Sequence, residues 1–245
     1  MRIFLGIVLI LACANFAQAS EISASLRPVL RPEQAADPVV PAGTRLRQSL
    51  RPLARPKSIE TAAVKRATQL AKGAVCGDSA IQGEYVGRVA AKTNGCGLSD
   101  AVKLSSVSGV KLSQKAVMDC TTAKALKKWI ETGAKPVIGN QGGGLASLQI
   151  MGHYSCRPRN NQRGAKISEH GRGRAIDIGA FTLKNGVSFS VLRDWNRSKW
   201  SDELSKMHRA ACGPFGTVLG PRANKYHQDH FHFDTARYRS GSYCK

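Results

Sequence analysis

Three histidines and two aspartates lie within eight residues near the end of the chain, in the sequence HQDHFHFD at positions 227–234. If this segment is a β-strand, alternate side chains point to opposite faces. His230, His232 and Asp234 then share one face, and the two phenylalanines between them pack into a core. We therefore expect the histidines to lie side by side, at a spacing that suits a metal site or a pair of proton-transfer groups.

A second polar cluster lies upstream, in SEHGRGRAIDIGAF at positions 168–181. Two glycines break any helical pattern, and RAIDI alternates as a strand does. The pattern predicts a loop bearing His170 that runs into a strand bearing Asp177. If that strand lies beside the one that carries His230 and His232, the side chains form a His/Asp/His set. Catalytic zinc sites usually have three protein ligands and a water whose pKa the ion lowers.

Each of these residues also has a purely structural interpretation. His170 could cap its loop, and Asp177 could be a buried acid paired with one of the many arginines. His230 and His232 could be ordinary strand histidines with satisfied hydrogen bonds. The two motifs together favour a site, whereas neither motif alone decides the question.

The elements that must position these residues are predicted from apolar periodicity. Helical spacing and capping residues indicate three helices, and alternation indicates four strands. The helices are expected in IETAAVKRATQLAKG, in SQKAVMDCTTAKALKKWIETG and, with Ser201 as N-cap, in SDELSKMHRAAC, and the strands in LASLQIMGHYSC, GRAIDIGAF, VSFSVL and HFHFD. This order predicts an α+β fold, with a small antiparallel β-sheet flanked by helices around a zinc cleft.

The beginning of the chain has the pattern of an exported protein. Residues 1–19 combine Arg2, a short apolar run and the small-residue ending AQA, which predicts a signal peptide cleaved after Ala19. An uncleaved membrane anchor and a lipoprotein attached through Cys13 are the alternatives. Residues 20–57 contain repeated Arg-Pro pairs, which predict a disordered basic linker, and residues 58–245 form the predicted domain. We expect a periplasmic or secreted protein without a stable membrane span after cleavage.

The cysteines agree with export, since removal of Cys13 with the signal peptide leaves an even number. An even set in an exported chain predicts disulfides that stabilise the domain, although sequence alone does not fix their connectivity. Pairing of neighbours along the chain would join Cys76 to Cys96, Cys120 to Cys156, and Cys212 to Cys244.

The net charge of +21 indicates polyanionic partners. Export and the lack of an RNA- or DNA-recognition motif argue against nucleic acid. Peptidoglycan or another anionic polymer of the cell envelope is the expected partner, and basicity that only confers solubility is the alternative. The oligomeric state stays open.

Five stretches carry a resemblance to known families: MDCTTAKAL, YSCRPRNNQ, SEHGRGRAIDI, ACGPFGTVLGP and HQDHFHFD. Between about Val75 and Cys244 the chain resembles the bacterial extensin-like C-terminal domain family. The paired histidine motifs are similar to those of the zinc metallopeptidase superfamily of lysostaphin, D-Ala-D-Ala carboxypeptidases and Hedgehog domains. The ending HxDHFH is similar to that of penicillin-insensitive murein endopeptidases.

The superfamily resemblance implies a role for each matching position. His170, Asp177 and His232 correspond to the zinc ligands. His230 corresponds to a general base or transition-state stabiliser, and His227 is a further candidate for this proton chemistry.

Three more residues follow from the same comparison. Asp229 stands where the carboxypeptidase branch has its glutamate base, but its side chain is shorter, so His230 ranks first. Arg157 corresponds to an arginine that engages substrate, and Ser168 orients the His170 loop. The expected function is a periplasmic zinc hydrolase that cleaves an amide bond in peptidoglycan peptides. The alternative is a non-catalytic envelope-binding protein that keeps the fold, with or without the metal.

Overall fold

The computed structural model describes residues 56–238 and 240–245. The predicted signal peptide, at residues 1–19, and nearly all of the predicted linker, at residues 20–57, lie outside this part of the chain. Among the described residues, no helix is both long enough and apolar enough to cross a membrane.

The domain is α+β and is built on one large, mostly antiparallel sheet. Its strands are β1 (Ala74–Val75), β2 (Asp78–Val89), β3 (Leu98–Val107), β4 (Val110–Asp119), β5 (Leu145–Gly152), β6 (Ala175–Leu183), β7 (Ser188–Ser190), β8 (Thr217–Leu219), β9 (Phe231–Asp234) and β10 (Tyr243–Cys244). They are ordered β1-β2-β3-β4-β5-β6-β9-β8-β10, and β7 also pairs with β6. Only β4–β5 and β8–β10 pair in parallel among the described strands. The α+β prediction is confirmed, but the prediction of a small sheet is wrong.

The sheet is larger than expected because no strand is predicted in the region of β2 and β3, and a helix is predicted where most of β4 lies. The segment from Ser113 to Gly133 was predicted as one helix, yet β4 occupies its beginning and the helix begins only at Cys120. Burial alternates along β4, since Val110, Leu112, Ala116 and Met118 are buried. Several apolar positions in this short segment fit both the alternation of a strand and the spacing of a helix, so the pattern led to the wrong prediction.

The described residues form five α-helices. They are α1 (Lys57–Ala71), α2 (Cys120–Trp129), α3 (Lys135–Ile138), α4 (Val191–Asp194) and α5 (Ser201–Ala210), with one π-helical turn (Ile130–Ala134) between α2 and α3. Asp119 caps α2 by accepting a hydrogen bond from the Thr122 backbone N–H at 2.7 Å. Ser201 is the first residue of α5, and Trp200 stands at its N-cap without a side-chain hydrogen bond, so the predicted serine cap is wrong.

The main core lies between helices α2 to α5 and one face of the sheet, which includes β6 and β9. Phe231 and Phe233 point into it, as the alternation predicted, and Ile176 and Ile178 do the same from β6. Trp129 of α2 packs edge-on against Phe233, with ring centroids 5.1 Å apart. Because apolar side chains fill this face, the alternate residues of β6 and β9 must face the other way.

Three disulfides stabilise the domain, and the connectivity differs from neighbour pairing. The bonds are Cys76–Cys120, Cys96–Cys156 and Cys212–Cys244, so only the last predicted pair is confirmed. The meander β2–β3–β4 returns the chain to its start, where α2 packs over β2 and Lys127 Nζ lies 2.6 Å from Asp78 Oδ2. Cys120 therefore meets Cys76 across the meander. Disulfides of this number are typical of proteins that fold outside the cytoplasm.

His208 lies on the inner side of α5 and is a packing residue. Its ring lies 5.1 Å from that of Phe231 and 5.7 Å from that of Trp195. Burial, together with the positive charges of Arg209 and Arg222, lowers the pKa of His208 to about 4. The folded protein therefore keeps this imidazole neutral at pH values where an unfolded chain protonates it.

Because the pKa of His208 is lowered in the folded protein, we expect the protein to lose stability in mild acid. Above about pH 6.5, the pKa of a histidine in an unfolded chain, His208 is neutral in both the folded and the unfolded protein, and the free energy of unfolding has its full value. As the pH falls from there towards 4, the unfolded chain binds the proton and the folded chain does not, so stability falls by at most ~3 kcal/mol. We expect urea unfolding at pH 7 and pH 4.5 to show a smaller acid loss in His208→Gln than in the wild type. Equal losses in both proteins would contradict this assignment.

Candidate metal centre

Strand pairing brings the two polar motifs together. In the register of β6 and β9, Asp177 stands directly opposite His232. Both residues point away from the phenylalanine core, and both are buried. The predicted juxtaposition of the two strands is therefore observed.

His170 reaches the same place from the turn that precedes β6. This short 3-10 turn covers Glu169–Arg172, and Ser168 caps it by accepting a hydrogen bond from the His170 backbone N–H at 3.4 Å. Gly173 ends the turn in the left-handed region, at φ 66°, which glycine adopts without strain. The chain thus turns into β6 with the imidazole of His170 held inward.

The three side chains meet at one point. His170 Nε2 lies 3.1 Å from Asp177 Oδ1 and 3.1 Å from His232 Nδ1, and His232 Nδ1 lies 2.9 Å from Asp177 Oδ1. A tetrahedral zinc ion with bonds of about 2.0 to 2.1 Å would hold its ligand atoms about 3.3 Å apart. The spacing of the three donor atoms therefore fits a small divalent ion with only slight expansion.

The hydrogen bonds on the far side of each imidazole fix which nitrogen carries the proton. His170 Nδ1 lies 2.8 Å from the backbone oxygen of His153, so it must donate there. His232 Nε2 lies 3.2 Å from Asp234 Oδ2 and donates to that carboxylate. In the neutral rings, His170 Nε2 and His232 Nδ1 then both present lone pairs to Asp177. Such outer acceptors are typical of metal-ligating histidines.

Three converging lone pairs require a positive charge between them. Burial alone would raise the pKa of Asp177, but hydrogen bonds that His170 and His232 donate to it when their rings are protonated hold it well below its ordinary value. Burial likewise opposes the charge on His232, yet Asp177 and Asp234 raise its pKa to about 9. Without an ion, a proton on His232 supplies the positive charge. A metal would replace that proton, so the donor set fits a cation such as Zn²⁺.

His230 and His227 stand beside these three residues. His230 lies just before β9, and its Nε2 is 3.7 Å from Asp177 Oδ1. Its Nδ1 contacts Asp229 Oδ1 at 2.7 Å. The ring of His227 lies 5.3 Å from that of His230, and its Nδ1 is 2.8 Å from Asn224 Oδ1. Burial, followed by the charges of the neighbouring histidines, lowers the pKa of His227 to about 4.

The cluster forms the floor of a cleft of about 360 Å³. Arg157 and Ser168, predicted to contact or support substrate binding, both line this cleft, together with His227 and His230. Asp229 does not line it and instead borders a separate groove. The structure thus brings together every predicted site residue except the Asp229 carboxylate, which reaches the cleft only through His230.

Sequence analysis missed several residues that support the site. Asp234 was placed on the correct face but was given no role, and the backbone of His153 was not considered. Glu169 is buried beside His170, where its carboxylate lies 3.7 Å from Arg159 and 3.4 Å from Arg172. Among these residues, only Asp234 could be identified from the sequence, because it continues the alternation of the strand that carries the histidines.

Gly152 is the remaining unpredicted residue, and it makes room for a ligand. It pairs with Asp177 across β5 and β6, and a Cβ atom at this position would overlap Asp177 Oδ2. We expect Gly152→Ala to displace the carboxylate and lower zinc affinity roughly 10- to 100-fold, the usual cost of disturbing the support of a ligand. Competition with a chromogenic chelator measures this change.

Gly179→Ala is the matched control for this substitution. Gly179 lies on the same strand as Asp177, and an added Cβ there collides with the side chain of Met151, which is exposed and free to swing away. Zinc affinity should change little in this variant. Equal affinities of the Gly152→Ala and wild-type proteins would show that the carboxylate does not depend on this space.

Comparison with known proteins gives one family match. The family described as Extensin-like protein C-terminus matches residues 75–245. A search of curated proteins and a search of solved structures find no match. The matched residues contain all three disulfides, both histidine motifs and the whole cleft. The chain therefore belongs to the extensin-like C-terminal family.

Proposed function

We propose that this protein is an exported zinc-dependent hydrolase that cleaves an amide bond in peptidoglycan peptides. The observation that carries the proposal is the convergence of His170 Nε2, Asp177 and His232 Nδ1, with both rings oriented by outer acceptors. Two further donors, His227 and His230, border the same cleft. Three protein ligands beside free proton-transfer groups are typical of a catalytic rather than a structural metal site.

In the proposed mechanism, His170, Asp177 and His232 hold the zinc ion. When bound, zinc supplies Lewis acidity and activates water near neutral pH. His230 presents Nε2 to the cleft and accepts a proton from the attacking water. It then donates this proton to the leaving amine. His227, whose pKa is lowered to about 4, stays neutral near pH 7, and because its Nδ1–H donates to Asn224 Oδ1, its Nε2 can only accept a hydrogen bond.

The walls of the cleft favour a substrate that carries carboxylates. Arg157 and Arg159 line it, and guanidinium groups bind carboxylates through paired hydrogen bonds. Peptidoglycan peptides carry such groups in an oxidising compartment that the disulfides also suit. The similarity of the two histidine motifs to those of lysostaphin-type and murein endopeptidases supports the same substrate class.

The proposal is tested with one preparation of mature protein. Zinc is measured by mass spectrometry after purification without chelator, and purified sacculi are then digested and the released muropeptides separated. We expect about one zinc per chain and release of cleaved peptides that stops on chelation and returns with added zinc. Sacculi that are bound but never cleaved, whichever peptide linkage they contain, would support the envelope-binding alternative instead.

A further inference from the structure

We propose that Asp229 is a positioning residue, which acts on the reaction only by fixing the orientation and tautomer of His230. The expected effect on kcat rests on the proposed function, whereas the contact between Asp229 and His230 does not. Asp229 Oδ1 lies 2.7 Å from His230 Nδ1, and His230 Nε2 lies 3.7 Å from Asp177 Oδ1. The imidazole therefore stands between the two carboxylates, with one nitrogen directed to each.

Asp229 is poorly placed to accept a proton from the cleft itself. Its side chain is 44% exposed, whereas that of His230 is 15% exposed. It borders a groove on the other side of His230, beside Met151, Ser190 and Arg193. A water in the metal cleft would meet the ring of His230 before it met this carboxylate.

The contact decides where the proton of a neutral His230 resides. A carboxylate accepts hydrogen bonds but donates none, so Nδ1 must carry the hydrogen. Nε2 is then left with a lone pair that faces the candidate metal centre. A free histidine side chain favours the opposite tautomer, with hydrogen on Nε2, and in that form it could not accept a proton there. An aspartate on Nδ1–H serves this purpose in the Ser-His-Asp triad.

The first test reads the tautomer directly. The zinc-loaded full chain, labelled with ¹⁵N-histidine, is studied by NMR, and His230→Gln identifies the His230 signals. We expect Nδ1 of His230 to be protonated in the wild type, and Asp229→Ala to shift the ring towards the Nε2–H form. Asp229→Glu, which keeps an acceptor, should retain part of the Nδ1–H form. The control is Asp202→Ala, which removes an exposed carboxylate of α5 that pairs only with Lys206 among the described residues.

The second test separates positioning from folding and from direct catalysis. Asp229→Ala should bind zinc and melt as the wild type does, with kcat reduced roughly 10- to 100-fold and KM nearly unchanged. Asp229→Glu should recover part of kcat. An unchanged His230 tautomer in Asp229→Ala overturns the proposal, whether or not kcat falls. If neither the wild type nor any variant cleaves muropeptides, the hydrolase proposal fails. The NMR result still decides whether Asp229 sets the tautomer of His230.

Discussion

We expect His232→Ala to abolish zinc binding and, with it, the proposed hydrolysis. His232 supplies one of three donor atoms that all lie within 4.8 Å of one another, and Asp177 depends on it for a hydrogen bond at 2.9 Å. With two ligands left, zinc content should fall from about one ion per chain to nearly none. His170→Ala should behave in the same way. Metal analysis of purified variants, together with muropeptide release, measures both effects.

His153→Ala is the matched control for these two variants. The His153 backbone oxygen, rather than its ring, accepts the hydrogen bond from His170, so a substitution of the side chain leaves the acceptor in place. Its zinc content should equal that of the wild type. Full zinc occupancy in both His170→Ala and His232→Ala would rule out the proposed centre.

His230→Ala should keep its zinc but lose most of its turnover. None of the three donor contacts involves His230, so removal of its ring leaves the centre intact. A positioned acid–base group contributes typically ~10²- to 10⁴-fold to the rate, and kcat should fall by a factor in this range. Stopped assays on a soluble muropeptide, with zinc measured on the same sample, test the two halves of the prediction together.

His227→Ala distinguishes His230 from its neighbour. The ring of His227 lies 5.6 Å from that of His232 and is held by Asn224, which suits substrate contact better than proton transfer. Its loss should therefore affect KM more than kcat. A larger fall of kcat in His227→Ala than in His230→Ala would reverse the two assignments.

The strands that hold the site were predictable, whereas the sheet that surrounds them was not. The alternation in β6 and β9 has a single physical cause, because one face packs on the phenylalanine core and the other bears polar groups. Strand β2, in the first half of the sheet, lacks that contrast. In β2 most of the residues from Glu84 onwards are exposed, so there is no alternation of apolar and polar positions to read.

The supporting contacts of the site could not be predicted, because they depend on tertiary proximity. Nothing in the sequence indicates that the backbone of His153 reaches His170, or that Gly152 faces Asp177. Neighbour pairing was wrong for two of the three disulfides for the same reason. Cys96 and Cys156 are 60 residues apart, and they meet because their neighbours Gly97 and Ser155 both donate backbone hydrogen bonds to the turn that carries His170.

The pairing of β6 with β9 also determines how zinc would interact with the unfolded chain. Asp177 and His232 are 55 residues apart, and the segment between them contains α4, α5 and β8. Of the three proposed ligands, only His170 and Asp177 stay close together in an unfolded chain, whereas His232 keeps His227, Asp229 and His230 as neighbours. The third joins after a long loop has closed, which is a slow, entropically costly step of folding. Zinc would therefore bind more tightly to the native state, where all three ligands converge, and the melting temperature would rise with the concentration of free ion.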